Sequence, residues 1–276
     1  MAGGSLTRVA AKAMGSVKER MLARTVSRAV KTASLALYLR GGFRKIEGWC
    51  GGPYTFLVLD VLAAAQPQDC RRLGAAEIGV HHGLFFIGMH NLCEPGGKSL
   101  ALDLFELQDL NVDASGYGDK DVFARNLRSY AAHADDCIVH DGIDSLAISA
   151  EYAMELRRRF GPFRFVSVDG GHTPEHCSND LRIAEQITAQ GGVVVLDDSF
   201  SYEWPGVTEG MYRYLGQSDT GLVPFAVTRK KAFLTQPEFA DRYKRALEAE
   251  LGTRVGRFWT KDTQILGREV SVLAFQ

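Results

Sequence analysis

The chain has 276 residues, 46% of them hydrophobic and 24% charged, and its 32 Lys and Arg nearly balance 33 Asp and Glu for a net charge of -1. That composition excludes collagen-like, disordered and coiled-coil classes, and the length supports one large α/β domain or two small ones whose cores need no staple. Five cysteines, Cys50, Cys70, Cys93, Cys137 and Cys177, are an odd number without a CxxC pair, which argues against a disulfide framework or a structural zinc and for a reducing, cytoplasmic setting.

The near-neutral total hides an asymmetry. Residues 1–46 carry ten Lys and Arg, from Arg8 and Lys12 to Arg44 and Lys45, against the single acid Glu19, a net of +9 that leaves -10 for the remainder. Apolar residues at Met14, Val17 and Met21, then Leu22, Val26, Val30, Ala33 and Leu37, recur at helical spacing, which predicts one or two amphipathic helices. Three readings of this arm stay open: packing on its own domain or on a second copy in a homo-oligomer, an interfacial helix on anionic lipid, and a cleaved targeting peptide. The apolar stretch Thr32–Leu39 lies between Lys31 and Arg40 and is far short of the roughly 20 residues that span a bilayer, so membrane contact would be peripheral. The arm is assigned to 1–45 and a single domain to 46–276, and no nucleic-acid partner is expected.

From residue 46 onward β-rich runs alternate with helical patterns. Strands are expected at Ala75–Val80, Ser99–Leu104, Cys137–His140, Phe165–Asp169 and Gly192–Leu196, with helices at about Gly83–Leu92, Lys120–His133, Ser145–Phe160 and Pro174–Ala189. A helix near Val207–Leu215, a strand near Val223–Thr228, a helix over Pro237–Leu251 and a last strand Val270–Phe275 follow. Alternation of this kind predicts βαβ units and a doubly wound, Rossmann-like, mostly parallel sheet of seven strands, closed at its edge by an antiparallel pair.

In such a sheet ligands bind where strands end. The first strand runs into Glu77-Ile-Gly79-Val-His-His-Gly83, an acid followed by two glycines that open a helix and let the backbone approach a ligand closely. The second ends in Asp103 and Glu106, carboxylates able to accept the hydroxyls of a ribose. The third ends in Asp141-Gly-Ile-Asp144-Ser145, a small polar loop suited to an adenine edge. His81 and His82 occupy the glycine loop without an evident role, and His140 reads as structural.

Taken in order, these residues resemble the class I S-adenosylmethionine-dependent methyltransferases over roughly 46–276. Glu77-x-Gly79-x-x-x-Gly83 is similar to the family's first motif and Asp103 to its ribose-binding acid. Val168-Asp169-Gly170-Gly171-His172-Thr173, Asp180-Leu181, Gly191-Gly192-Val-Val-Val-Leu-Asp197-Asp198, Phe123-x-x-Asn126-Leu127 and Trp204-Pro205-Gly206-Val207 resemble the small-molecule and sugar O-methyltransferase branch. The first turn does not match the Gly-x-Gly-x-x-Gly of a dinucleotide dehydrogenase.

Asp169 ends the fourth strand and Asp197 with Asp198 the fifth, so three acids should converge on one rim. Their mutual repulsion calls for a cation, and a hard divalent ion such as Mg²⁺ would relieve it while binding substrate hydroxyls. The resemblance implies the same three ligands. His172, three residues past Asp169 in a Gly-Gly loop, is the expected general base for an attacking hydroxyl, with Asp169 as the other candidate. The polar stretch 109–121 reads as a loop near the ribose, a potential lid, and Phe200, Tyr202 and Trp204 as an acceptor pocket. The implied function is methyl transfer from S-adenosylmethionine to a hydroxyl of a small molecule or sugar, assisted by Mg²⁺. The alternative is a scaffold of the same fold, tethered to a membrane or partner through the basic arm.

Overall fold

One nine-stranded sheet organises the computed structural model, which describes residues 17–256 and 258–275. Its strands are β1 (Ala75–Ile78), β2 (Ser99–Asp103), β3 (Cys137–Asp141), β4 (Phe163–Val168), β5 (Thr188–Leu196), β6 (Val223–Val227), β7 (Ala232–Thr235), β8 (Phe258–Ile265) and β9 (Arg268–Phe275). They lie in the order β3-β2-β1-β4-β5-β7-β6-β9-β8. The first five are parallel. β7 is antiparallel to both neighbours, β9 returns parallel to β6, and β8 pairs antiparallel with β9 at the edge.

The doubly wound architecture is as expected, with nine strands rather than seven. The additions are β7, four buried residues, and β8, whose six central residues are all exposed. Leu266 (φ 50°) and Gly267 (φ 74°) join β8 to β9 in a tight two-residue turn of left-handed residues, the geometry that suits a twisted hairpin.

The described helices are α1 (Val17–Ala29), α2 (Ala33–Arg40), α3 (Tyr54–Ala65), α4 (Leu84–His90), α5 (Lys120–Tyr130), α6 (Ala150–Phe160), α7 (Pro174–Ile187), α8 (Pro205–Leu215) and α9 (Pro237–Arg254). Strand alternation divides them. Ala75, Ala101, Phe165, Val193, Val195, Phe225 and Phe233 face a core shared with α1–α5 and α9. Ala76, Leu100, Val166, Val194 and Leu234, one residue along, face the core of α6–α8. Helix starts are marked chemically: Asp119, Ser149 and Thr173 accept backbone N–H groups of the first turns of α5, α6 and α7, and Pro opens α7, α8 and α9.

Residues 17–46 pack against this body. Ala23, Val26, Leu35, Tyr38 and Leu39 are fully or almost fully buried. Buried Asp60 on α3 accepts the backbone N–H groups of Lys31 (2.8 Å) and Thr32 (3.1 Å) and pairs with Arg254 at 2.8 Å. The apolar face of α1 is thus spent on the chain's own core. Arg8, Lys12 and Met14 of the expected helical arm lie outside the described residues. No described helix is long and apolar enough to cross a membrane.

Candidate active site

The strand order reverses between β1 and β4, which opens a crevice at their carboxyl ends, the position where this class of sheet binds ligands. The two rims touch there. A Cβ on Gly79 (φ 81°) would stand 1.9 Å from the backbone oxygen of Asp169, so only glycine lets the loops meet. Gly83 (φ 88°) caps α4, and a Cβ there would stand 2.8 Å from the Phe123 ring. A small cleft follows, lined by Gly48, Trp49, Glu77, Gly79, His81 and Asp169 among others. Backbone strain gathers on these loops: His81, Phe105, Ala114, Asp198 and Phe200 all have positive φ, in keeping with geometry held for a ligand.

On the β1–β2 rim, Asp103 is the organising residue. Its Oδ2 accepts the backbone N–H groups of Val80 (2.6 Å) and His81 (2.7 Å), and Oδ1 accepts that of Phe105 (2.7 Å). The carboxylate expected to meet a ribose therefore also builds the glycine loop. Glu77 is buried beneath that loop, and burial pushes its carboxyl up to about 8 against the pull of Ser167 and Lys231. The His81 and His82 rings lie 3.8 Å apart, and burial, then His82, lowers His81 to about 4, which keeps it neutral. Asp144 and Ser145 are placed differently from the cleft residues. Asp144 caps the turn Ser145–Ala147 and stands 3.4 Å from His176 Nε2, while the Ser145 carbonyl accepts a bond from Asn179. Neither lines the clefts formed by the glycine loop and the Asp169–His172 loop.

The β4–β5 rim gathers the acids Asp169, Asp197 and Asp198. They do not form one donor set. Asp197 is almost fully buried, its Oδ2 is 2.5 Å from the ammonium of Lys231, and its Oδ1 accepts the backbone N–H of Asp198. Lys231, at the foot of β7, is itself wholly buried and lies 4.2 Å over the Phe85 ring. Burial works against its charge, but Asp197 and Asp169 hold its pKa above the usual lysine value. The grouping that could hold an ion is Asp169, His172 and Asp198, whose ligand atoms lie within 4.8 Å of one another. Asp197 is not part of that grouping. Asp169 is driven well up by burial and by Asp197, with Lys231 opposing.

His172 is held on three sides. Nδ1 lies 2.9 Å from Asp113 Oδ2, Nε2 lies 3.7 Å from Asp198 Oδ2, and the ring stacks on Trp204 at 4.2 Å and 24°. Burial disfavours the charged ring, but hydrogen bonds to Asp113 and Asp198 raise it to about 9. Asp198 also meets Lys230 at 3.0 Å. Of the expected aromatic pocket, Trp204 is engaged with the imidazole, while Phe200 and Tyr202 face solvent. Sequence reasoning missed Asp113, Lys230 and Lys231. The available signals were a buried-strand run opening on two lysines, and an acid inside a glycine-bearing loop.

Residues 76–199 match the methyltransferase domain family. No curated protein matches the chain. Among solved structures, MycE methyltransferase from the mycinamycin biosynthetic pathway, in complex with Mg and SAH, is 19% identical with a TM-score of 0.48, covering 74% of this chain and 54% of that one. This chain thus spans about half the length of MycE. The O-methyltransferase TomG from Streptomyces achromogenes, involved in tomaymycin synthesis, is 16% identical with a TM-score of 0.44, over 83% of this chain and 92% of that one. The O-methyltransferase NovP is 14% identical with a TM-score of 0.49, over 76% and 97%. The segment that is similar to a methyltransferase domain, residues 76–199, takes in the first five strands, β1 to β5, and a little under half of the chain.

Proposed function

We propose that the chain transfers the methyl group of S-adenosylmethionine to a hydroxyl of a small molecule or sugar. The observation that carries this reading is His172 at the junction of the two rims, its Nδ1 bonded to Asp113 and its Nε2 turned toward Asp198. The cofactor would lie against Gly79 and Gly83, its ribose at Asp103, its amino group toward Glu77 and its adenine toward Asp144 and Ser145. In the transfer the acceptor oxygen forms a bond to the methyl carbon as the carbon–sulfur bond breaks, and sulfur keeps the electron pair. The hydroxyl proton passes to Nε2 of the neutral form of His172, a form that grows as pH approaches its raised value of about 9, with Asp169 as the other candidate base.

The donor chemistry of the second rim fits a divalent cation. Asp169 and Asp198 offer oxygens from crowded acids, and Mg²⁺ is commonly held by one or two carboxylates with water and substrate oxygens completing the shell. Asp197 would support the site through Lys231 rather than as a ligand. When bound, such an ion would lower the cost of forming the acceptor oxyanion.

Calorimetry with S-adenosylmethionine, then methyl transfer to a panel of glycosides with and without EDTA, tests the reading. Binding with EDTA-sensitive transfer restored by Mg²⁺ supports it. Binding without transfer to any hydroxyl acceptor would favour the scaffold alternative, and full turnover in EDTA would remove the ion.

A further inference from the structure

Helices α1 and α2 bury their apolar stripes in the core, and what they leave to solvent is basic. On α1, Met21, Arg24, Thr25 and Arg28 recur at three- and four-residue spacing, which puts them on one face, and all are exposed, as is Lys18. On α2 the exposed residues are Ala33, Leu37 and Arg40, and Lys45 just beyond it is exposed as well. The two faces adjoin, because α1 packs on α2 and Arg40 Nε donates to Ser27 Oγ of α1 at 3.2 Å.

Lys31 is matched by Glu250 at 2.9 Å, whereas Arg24, Arg28, Arg40 and Lys45 form no ion pair among the described residues. Arg20, Arg24 and Arg28 follow one another at four-residue intervals, a spacing of like charges that destabilises a helix and is relieved by an external anion. A bilayer of anionic lipid and a nucleic acid both offer rows of phosphate. Met21 and Leu37 favour the bilayer. They are 65% and 67% exposed among the cations, and an apolar side chain finds nothing to bury in along a sugar–phosphate backbone. At a lipid surface it enters the acyl boundary, while neighbouring Arg and Lys heads stay with the headgroups.

We propose that the joint solvent face of α1 and α2 docks the protein on an anionic lipid bilayer, with Arg24, Arg28, Arg40 and Lys45 at the headgroups and Met21 and Leu37 beneath them. The buried stripe of α1 is not available to the lipid, so the contact is peripheral, reversible and dominated by charge. None of these residues lines the clefts at the strand ends, so the docking is independent of the transfer chemistry.

The test mixes full-length protein with vesicles of phosphatidylcholine, either alone or with about 30 mol% phosphatidylglycerol, and reads the bound fraction by co-flotation. Native protein should bind the anionic vesicles only, with an affinity that falls more than about tenfold as salt rises from about 50 to about 500 mM. At about fivefold for each basic residue near the surface, Arg24→Gln combined with Arg28→Gln should weaken partition about 25-fold. Met21→Ser combined with Leu37→Ser should weaken it by a smaller factor and keep the salt dependence. All four positions face solvent, and an unchanged thermal midpoint in each double variant separates lost docking from lost fold. Equal binding to both vesicle types, binding to neither, or native partition of the arginine double variant overturns the proposal. Native partition of the Met21→Ser, Leu37→Ser variant, or tighter binding to duplex DNA than to anionic vesicles at matched phosphate and salt, overturns the choice of a bilayer as partner.

Discussion

The carboxylates of the two rims are held by different means. After β2, Asp103 takes three backbone N–H groups, from Val80, His81 and Phe105. After β5, Asp197 and Asp198 are held mainly by side chains, Lys231, Lys230 and His172, with one backbone N–H, that of Asp198, on Asp197. Backbone amides cannot titrate, and they fix a loop's shape whatever the pH. Ammonium and imidazolium groups can gain, lose or share their partner, so in the proposed transfer the second rim would change charge while the first would keep the frame of the cofactor. The division suits a two-substrate site, one partner bound by shape and the other by adjustable charge.

The sharpest way to break this comparison is at the imidazole. His172→Ala should lower methyl transfer by about 10²- to 10⁴-fold with S-adenosylmethionine affinity intact, read by steady-state kinetics beside calorimetry. A parallel loss of cofactor binding would show that the rims are not separable. Next comes the buried pair. Lys231→Met should cost about 3 to 5 kcal/mol of stability in urea unfolding, because Asp197 would stay buried without its cation. Adding Asp197→Leu should return much of that, and failure to do so would mean that the pair contributes more than charge balance.

A smaller effect is expected at Asp103→Ala, about 1.5 to 3 kcal/mol, or roughly ten- to a hundred-fold in cofactor affinity. The thermal midpoint should fall with it, since the loop loses three anchors. Weakened binding with an unchanged midpoint would assign Asp103 to the ligand alone.

The last effect is on pH dependence. The ordinary histidine value is near 6.5 and the folded value of His172 is about 9, so the folded state holds its proton more tightly. The stabilisation is fully present below about pH 6.5 and is lost as pH rises through about 9. Thermal midpoints measured from pH 7 to 9.5 should therefore decline more in native protein than in Asp113→Asn, and parallel declines would place the titration elsewhere.

What could be read in advance follows from periodicity and strand ends. Gly79, Gly83, Asp103, Asp169 and His172 stand where parallel strands stop, so their convergence needed only the topology. Helix α3 was unreadable because it is buried nearly all round, from Thr55 to Ala63, and carries no polar face to reveal a period. Strand β8 failed for the opposite reason, since six consecutive exposed residues leave no alternation. Asp197 looked like a ligand beside Asp198 because nothing local announces that a lysine 34 residues later, just before another strand, takes its oxygen. Asp113 sits in a loop, where spacing carries no face. The polar character of that loop was legible, but its partner was not.

The pairing of Asp60 with Arg254 bears on how the molecule is made. The two residues are 194 positions apart, and Tyr54 stacks on Phe275 at 4.5 Å, so the early helices are completed by segments synthesised much later. Contacts of such long separation slow folding, because the loop must close before they contribute. While the chain is still on the ribosome, the apolar surface of α3 would lack the cover that α9 supplies. Nascent chains halted before residue 254 should therefore be more readily cleaved by protease around 54–65 than those that include it, and the window between the two lengths is when the protein would most need a chaperone.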